Sequence, residues 1–128
     1  MTVTEASDRP LVLLVDDEES MLKVLERRLQ SWGCRVLLAA NGPEALRLAQ
    51  EHRPNLILLD VMMPEMDGLE VCRRLRAAKD TKSIPVILVT VKATQLSAQE
   101  IRSSGAVQVV GKPYDSRELE EAVRAALK

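Results

Sequence analysis

The fold of this chain is most tightly constrained by a regular alternation of short apolar runs with longer amphipathic stretches. Each run is rich in Val, Ile and Leu and lacks a polar residue at every second position. Such runs are typical of strands that are covered on both faces, as in a parallel sheet. We therefore predict five strands, at residues 11–15, 35–39, 55–59, 85–89 and 107–110.

Between the runs lie five stretches whose apolar residues recur with the period of a helix. Gly33 is placed to end the first helix, and Asp67 and Asp115 are placed to cap the N-termini of the third and fifth. Because Glu70 and Glu118 follow these aspartates by three residues, we predict a reciprocal capping box at each. The predicted helices cover residues 18–32, 43–52, the segment after Asp67, 93–104 and the segment after Asp115.

The fourth predicted helix is the least well specified. Its candidates for burial are Leu96, Ala98 and Ile101. Thr94 and Ser97 compete as its N-cap, and Ser97 with Glu100 forms a capping-box pattern. We expect this helix to be short and the most mobile of the five.

Five strands that alternate with five helices over short connections predict a doubly wound α/β sandwich. The chain has 128 residues, which suits one domain because about 150 residues per domain is typical. We expect residues 10–128 to form that domain and residues 1–9 to be a flexible leader.

Composition limits what such a domain can bind. The aromatic residues are Trp32 and Tyr114, so the core is predicted to be aliphatic, with little surface for stacking against bases. A net charge of -1 gives no electrostatic reason to expect direct binding to nucleic acid or to an acidic membrane. We expect Cys34 and Cys72 to be buried and reduced, and with His52 as the single histidine we expect no zinc site.

The N-terminal residues are polar and lack the pattern of a signal peptide. No apolar run approaches the ~20 residues of a membrane span. We therefore expect a cytoplasmic location without a membrane anchor.

Polar side chains gather where the predicted strands end. The residues at four strand ends are Asp16, Asp17 and Glu18, then Asp60, Thr90 and Lys112. In an open parallel sheet the carboxyl ends of the strands share one edge, where ligands bind. Clustered carboxylates repel one another unless a cation is present, and Mg²⁺ suits an all-oxygen site that also admits a phosphate. A carboxylate beside Mg²⁺ can attack phosphorus, after which a hydroxyl and an ammonium can hold the phosphoryl oxygens.

These residues lie in motifs that resemble those of bacterial two-component response-regulator receiver domains. The motifs are Val15-Asp16-Asp17-Glu18, Leu58-Leu59-Asp60-Val61-Met62-Met63-Pro64-Glu65-Met66-Asp67-Gly68, Thr90 and Lys112-Pro113-Tyr114. The resemblance covers about residues 10 to 128. It implies a flavodoxin-like (βα)5 fold with five parallel strands in the order 2-1-3-4-5, which chemotaxis regulators of this family have.

The resemblance also implies a role for each matching residue. Asp60 is expected to be the phosphoacceptor. Asp17 is expected to ligate Mg²⁺ directly, Asp16 directly or through water, and the backbone carbonyl of Met62 to be a further ligand beside Asp60. Thr90 is expected to hydrogen-bond the phosphoryl group and Lys112 to pair with its charge. Glu18 has no direct role.

In this family a sensor histidine kinase or a phosphotransfer protein donates the phosphoryl group. The resemblance implies a signalling switch that acts on a downstream protein or on a second copy through the surface of the fourth helix, fifth strand and fifth helix. Such a domain catalyses its own phosphorylation and dephosphorylation and is not a turnover enzyme on an external substrate. The resemblance further implies a cis Lys112-Pro113 bond.

Two alternatives stay open. A phosphatase with an aspartyl nucleophile also uses a strand-end aspartate and Mg²⁺, but that class needs a second acid two residues later, where this chain has Met62. The other alternative is a receiver-shaped module that binds proteins with weak or no phosphorylation switching. Whether the chain stands alone or is part of a larger protein is also open, as are its kinase and its pathway.

Two residues depart from the family pattern. Val109 stands three residues before Lys112, where receivers usually have an aromatic ring that turns inward on phosphorylation. Val91 follows Thr90, where the family usually has a small residue. Since valine has no ring to relocate and few rotamers, we expect slow phosphotransfer from small donors and a modest change in the signalling surface. Any signal is expected to pass through residues 91–97 and the fourth helix.

Overall fold

A computed structural model describes residues 9–91 and 93–128 of the chain, so the predicted leader lies outside the described residues except for Arg9. The strands are β1 (Leu11–Val15), β2 (Arg35–Ala39), β3 (Leu56–Leu59), β4 (Val86–Thr90) and β5 (Gln108–Gly111). The helices are α1 (Glu19–Ser31), α2 (Gly42–His52), α3 (Gly68–Ala77), α4 (Ala98–Ser104) and α5 (Ser116–Leu127), with a 3-10 turn at Ala93–Gln95. The predicted elements are confirmed to within two residues at each predicted end, except at the start of α4.

All five strands form one parallel sheet in the order β2-β1-β3-β4-β5, which confirms the doubly wound fold and its strand order. The register places Val15 of β1 opposite Leu59 of β3. The residues that follow these two, Asp16 and Asp60, are therefore side by side, and the Asp60 N–H donates to the Val15 carbonyl at 3.0 Å. The register itself thus brings two carboxylates together at the carboxyl edge.

The core has an aliphatic layer on each face of the sheet. On one face, side chains such as Leu13, Ile57 and Leu88 pack against α2 and α3. On the other, side chains such as Leu14, Leu58 and Val89 pack against α1 and α5. Successive strand residues alternate between these faces, so both faces are covered, as the unbroken apolar runs predict.

The remaining composition-based expectations concern single residues. Trp32 and Tyr114 are half-buried at the edge of one layer. Cys34 and Cys72 are buried and free, as predicted. Among the described helices, none is both long and apolar enough to cross a membrane.

The helix caps confirm some predictions and correct others. Asp67 caps α3 by accepting the Glu70 N–H at 3.0 Å, but the predicted reciprocal box is wrong. Both carboxylate oxygens of Glu70 instead accept bonds from Arg73 and Arg74, which follow at i+3 and i+4 on the same face. These exposed guanidinium groups hold the pKa of Glu70 below its usual value.

The cap of α5 also differs from its prediction. The Asp115 carboxylate accepts the Arg117 N–H at 2.7 Å, so the predicted capping box with Glu118 is wrong. The bond closes a turn over two residues rather than three.

The predicted end of the first helix is confirmed. Gly33 has a positive φ of 87° just after α1, so it ends this helix.

Helix α4 is short, as predicted, but it begins later than the periodicity suggests. Ser97 is the N-cap and forms the predicted capping box with Glu100, whereas Thr94 lies in the 3-10 turn before it. Leu96 and Ile101 are half-buried, but Ala98 is exposed, so its predicted burial is wrong. Ala98 is the first helical residue after the cap and lies on the solvent side of this turn.

Candidate functional site

The predicted site residues converge on the carboxyl edge of the sheet. Asp16 and Asp60 follow the adjacent strands β1 and β3, and Thr90 ends β4, the next strand along. Their exposed fractions are 3%, 7% and 0%, whereas Asp17 is exposed. Lys112 follows β5 and reaches back across the sheet edge. The carboxylates of Asp16 and Asp60 are thus buried, whereas that of Asp17 is exposed to water.

Lys112 joins the two buried carboxylates. Its Nζ lies 2.7 Å from Asp16 Oδ2 and 3.3 Å from Asp60 Oδ2. The lysine side chain is only 11% exposed, so this charge-assisted contact is poorly screened by water. The backbone holds the lysine in place, because the Lys112 N–H donates to the Thr90 carbonyl at 3.0 Å.

The contact between Lys112 and Asp16 is a feature that sequence reasoning missed. The family resemblance pairs Lys112 with a phosphoryl group on Asp60, yet its shortest bond is to Asp16. The other oxygen of Asp16 is also engaged, since Oδ1 accepts the Glu18 N–H at 2.9 Å. No sequence pattern carries this signal, because 96 residues separate Asp16 from Lys112.

The ionisation of Asp60 and Lys112 reflects this environment. Burial raises the pKa of Asp60, and the nearby charge of Asp16 adds to the increase. The N–H of Met62 and the ammonium of Lys112 oppose it without cancelling it. Burial alone would lower the pKa of Lys112, but the hydrogen bond to Asp16 and the charge of Asp60 outweigh burial, so its pKa is raised. Lys112 therefore remains a cation that neutralises part of the cluster.

The three carboxylates have the arrangement that a hard cation needs. One oxygen from each of Asp16, Asp17 and Asp60 lies within 4.8 Å of the others. Oxygen ligands at such spacing, with one exposed carboxylate, fit Mg²⁺, which prefers oxygen and keeps several of its waters. The backbone of Met62 is beside them, because its N–H donates to Asp60 Oδ1 at 3.1 Å. These residues therefore fit the predicted metal site.

The loop after Asp60 is tightly folded around a glycine. Gly68 donates its N–H to the Val61 carbonyl at 3.0 Å. A β-carbon at this glycine would lie 2.3 Å from the Asp60 carbonyl oxygen, a backbone atom that cannot yield. Gly68 thus allows α3 to begin directly against the segment that carries Asp60.

An open cleft of about 500 Å³ leads to the carboxylates. Apolar side chains border it, including Met62, which is 45% exposed, and Val91, which is 59% exposed. Val109 is half-buried and packs against the core layer of α2 and α3. The Lys112-Pro113 bond at the far side of the cleft is cis, as predicted.

Comparison with known proteins agrees with this architecture. The family model described as "Response regulator receiver domain" matches residues 12–124. The transcriptional regulatory protein AfsQ1 of Streptomyces coelicolor is 41% identical over 119 residues, which cover 93% of this chain and 52% of that protein. The chain thus spans about half the length of this relative.

Solved structures of the same fold are also similar to this chain. The chemotaxis protein CheY4 of Vibrio cholerae is 33% identical, with a TM-score of 0.85 and coverage of 93% of this chain and 99% of that one. The receiver domain of sensor histidine kinase PA1611 from Pseudomonas aeruginosa is 31% identical, with a TM-score of 0.85 and coverage of 93% and 98%. That structure has a magnesium ion coordinated in its active site cleft. The chain described here belongs to the family of response regulator receiver domains.

Proposed function

We propose that this domain is a phosphorylation-dependent switch that accepts a phosphoryl group on Asp60 from a histidine kinase or a phosphotransfer protein. The observation that carries the proposal is the position of the Asp60 carboxylate. It lies at the floor of an open cleft, next to two further carboxylates and to the Lys112 ammonium. Membership of the receiver family supports the same conclusion.

The transfer is a displacement at phosphorus. An oxygen of Asp60 attacks the phosphorus of a phosphohistidine as the N–P bond breaks, and the imidazole leaves with the electron pair. The product is an acyl phosphate on Asp60. Asp16, Asp17, Asp60 and the Met62 carbonyl would hold Mg²⁺, which neutralises charge on the phosphoryl oxygens.

Lys112 is proposed to exchange its two carboxylate partners for the phosphoryl group during this reaction. Its ammonium neutralises Asp16 and Asp60 before transfer. Once the phosphoryl oxygens arrive, they offer Lys112 more negative charge than a single carboxylate does, and Asp16, as a proposed metal ligand, would no longer depend on Lys112 for its neutralisation. The Thr90 hydroxyl at the end of β4 is proposed as a further donor to the phosphoryl group.

The phosphorylated state is proposed to signal through the surface of α4, β5 and α5, to a downstream protein or to a second copy of the chain. Helix α4 has only seven residues, and Ser104 is its one fully buried residue. Such a lightly packed element is suited to two arrangements.

A receiver-shaped binding module with weak switching is the second candidate function, and Val109 favours it. This half-buried valine occupies the position where the family resemblance expects a ring that responds to phosphate. A phosphatase is disfavoured, because the residue two positions after Asp60 is Met62, whose thioether cannot exchange a proton.

Intact-mass measurement after incubation with acetyl phosphate and Mg²⁺ tests the proposal. We expect one phosphoryl adduct on the wild-type chain and none on Asp60→Asn. Asp67→Asn is the matched control, because Asp67 lies in the following loop and asparagine caps a helix as well as aspartate does. An adduct on Asp60→Asn at the wild-type level would refute the assignment of the phosphoacceptor.

A further inference from the structure

We propose that Gly42, the first residue of α2, is a positioning residue that provides the seat for Met66 and thereby holds the loop beside Asp60. This inference rests on the proposed function, since the loop, residues 61–67, carries the backbone of Met62 to the carboxylate cluster. Gly42 is distant from that cluster along the chain, and the sequence alone gives it no role in the site.

The loop is built from tight turns that need external support. The Met63 N–H donates to the Val61 carbonyl at 3.1 Å, and the Met66 N–H donates to the Pro64 carbonyl at 2.8 Å. Glu65, at the centre of the second turn, has a φ of 71°. Three-residue turns with a positive central φ are rare and strained. Strained conformations of this kind persist where surrounding contacts hold them.

The end of this loop is held by the contact of its residue Met66 with the first residue of α2. Met66 is half-buried and packs against the core layer of α2 and α3. A β-carbon at Gly42 would lie 3.0 Å from the Met66 β-carbon, 3.0 Å from its sulfur and 3.0 Å from Val71 Cγ2. The absence of a side chain at Gly42 is therefore what makes room for Met66.

The start of α2 cannot easily move aside to relieve such a contact. The Asn41 side chain caps the helix by accepting the Glu44 N–H at 2.8 Å, and the Glu44 carboxylate accepts the Ala40 N–H at 2.8 Å. Both hydrogen bonds span Gly42, because they join Glu44 to Asn41 and to Ala40. The displacement caused by a larger residue at position 42 would therefore fall on Met66 with its loop and on the Val71 side chain of α3.

A displaced loop would reach the carboxylate cluster through its first residues. The Met62 N–H donates to Asp60 Oδ1 at 3.1 Å, so movement of this backbone changes the orientation of the Asp60 carboxylate. The Met62 carbonyl, proposed as a metal ligand, would move with it. Residues that orient metal ligands typically change metal affinity by ~10–100-fold when they are altered.

Titration of the chain with MgCl₂ by calorimetry, together with the NMR position of the Met62 amide, tests the proposal. We expect Gly42→Ala to weaken Mg²⁺ binding by roughly tenfold and to shift the Met62 amide in the metal-free protein. Ala49→Gly is the control, because it destabilises α2 at a buried position outside the Gly42–Met66 contact. It is expected to leave Mg²⁺ affinity and the Met62 amide unchanged.

A second variant separates steric pressure from general damage. Met66→Ala removes the sulfur that meets the added methyl group but keeps the β-carbon. We therefore expect partial relief, with Gly42→Ala/Met66→Ala binding Mg²⁺ about threefold more tightly than Gly42→Ala alone. Should Gly42→Ala not fold, Met66→Ala alone carries the test. It is expected to weaken Mg²⁺ binding through loss of the seat, and wild-type affinity would overturn the proposal.

The outcomes distinguish this inference from the proposed function. Failure of the wild-type chain to bind Mg²⁺ would refute the proposed metal site itself. Mg²⁺ binding by the wild type with equal affinity in Gly42→Ala, or with effects of Gly42→Ala and Met66→Ala that simply multiply, would overturn only the positioning role of Gly42.

Discussion

Replacement of Lys112 by methionine tests the electrostatic balance of the site. The variant keeps much of the side-chain volume but removes the ammonium that lies 2.7 Å from Asp16 Oδ2 and 3.3 Å from Asp60 Oδ2. At an effective dielectric constant of about 20, unit charges at these distances attract by about 5–6 kcal/mol each. Desolvation of the ammonium offsets much of this attraction.

The free energy of unfolding falls because the buried carboxylates are left without their cation. Removing one partner of a buried ion pair costs about 3–5 kcal/mol, and because the cleft is open we expect the lower end, about 3 kcal/mol. With a urea dependence of about 2 kcal/mol per molar, the midpoint of unfolding falls by about 1.5 M in metal-free buffer. The fold survives, because domains of this size have about 5–15 kcal/mol of stability.

Mg²⁺ should reverse this loss, because it supplies the missing positive charge to the same carboxylates. Urea unfolding followed by Trp32 fluorescence, with EDTA and then with Mg²⁺, measures both effects. We expect Mg²⁺ to stabilise Lys112→Met more than the wild type. Lys79→Met, at an exposed lysine, is the matched control. Equal midpoints for Lys112→Met and Lys79→Met in EDTA, with equal gains on adding Mg²⁺, would show that Lys112 does not stabilise the buried carboxylates.

Three further predictions concern the carboxylate, the loop and the cleft. The pKa of Asp60 is raised in the folded state, so below its unfolded pKa of about 3.9, where Asp60 is protonated in both states, the fold has its full stability. This stability is lost as the pH rises through the folded pKa, because the buried carboxyl group then becomes charged. Asp60→Asn should therefore unfold at higher urea than the wild type in EDTA at pH 7, with an advantage that vanishes near pH 3; an equal difference at both pH values would contradict this. Glu65→Gly should raise the free energy of unfolding by about 1 kcal/mol by relieving a positive φ, and an unchanged urea midpoint would show that the turn is not strained. Val91→Ala should speed phosphorylation by acetyl phosphate by roughly threefold, a barrier change below about 1 kcal/mol, and an unchanged rate in a mass-spectrometric time course would show that Val91 does not narrow access.

Much of the fold could be predicted because its signals are local. Apolar runs covered on both faces, such as Leu11–Val15, read as parallel strands without reference to any other part of the chain. The placement of Asp16 and Asp60 at one edge then follows from the rule that parallel strands share their carboxyl ends. The strand order, in contrast, came from the family resemblance, since periodicity does not encode which strands are neighbours.

The features that sequence reasoning missed depend on contacts through space or on competition between partners. The capping box of Glu70 was predicted from spacing alone, but Arg73 and Arg74 offer this carboxylate stronger, charged donors. The bond between Lys112 and Asp16 and the seat of Met66 on Gly42 both join segments that are distant in sequence. A pattern of residue types cannot reveal which of several nearby groups lies at bonding distance.

In the proposed function Asp60 carries the phosphoryl group, and chemical trapping tests this assignment most directly. Borohydride reduces an aspartyl phosphate to homoserine, so treatment of the acetyl-phosphate-modified chain followed by peptide sequencing by mass spectrometry locates the modified residue. Asp16 and Asp17 are internal controls, because they belong to the same carboxylate cluster. We expect homoserine in place of Asp60 and unmodified aspartate at both control positions. Homoserine at Asp16 or Asp17, or an adduct that leaves Asp60 unchanged, would contradict it.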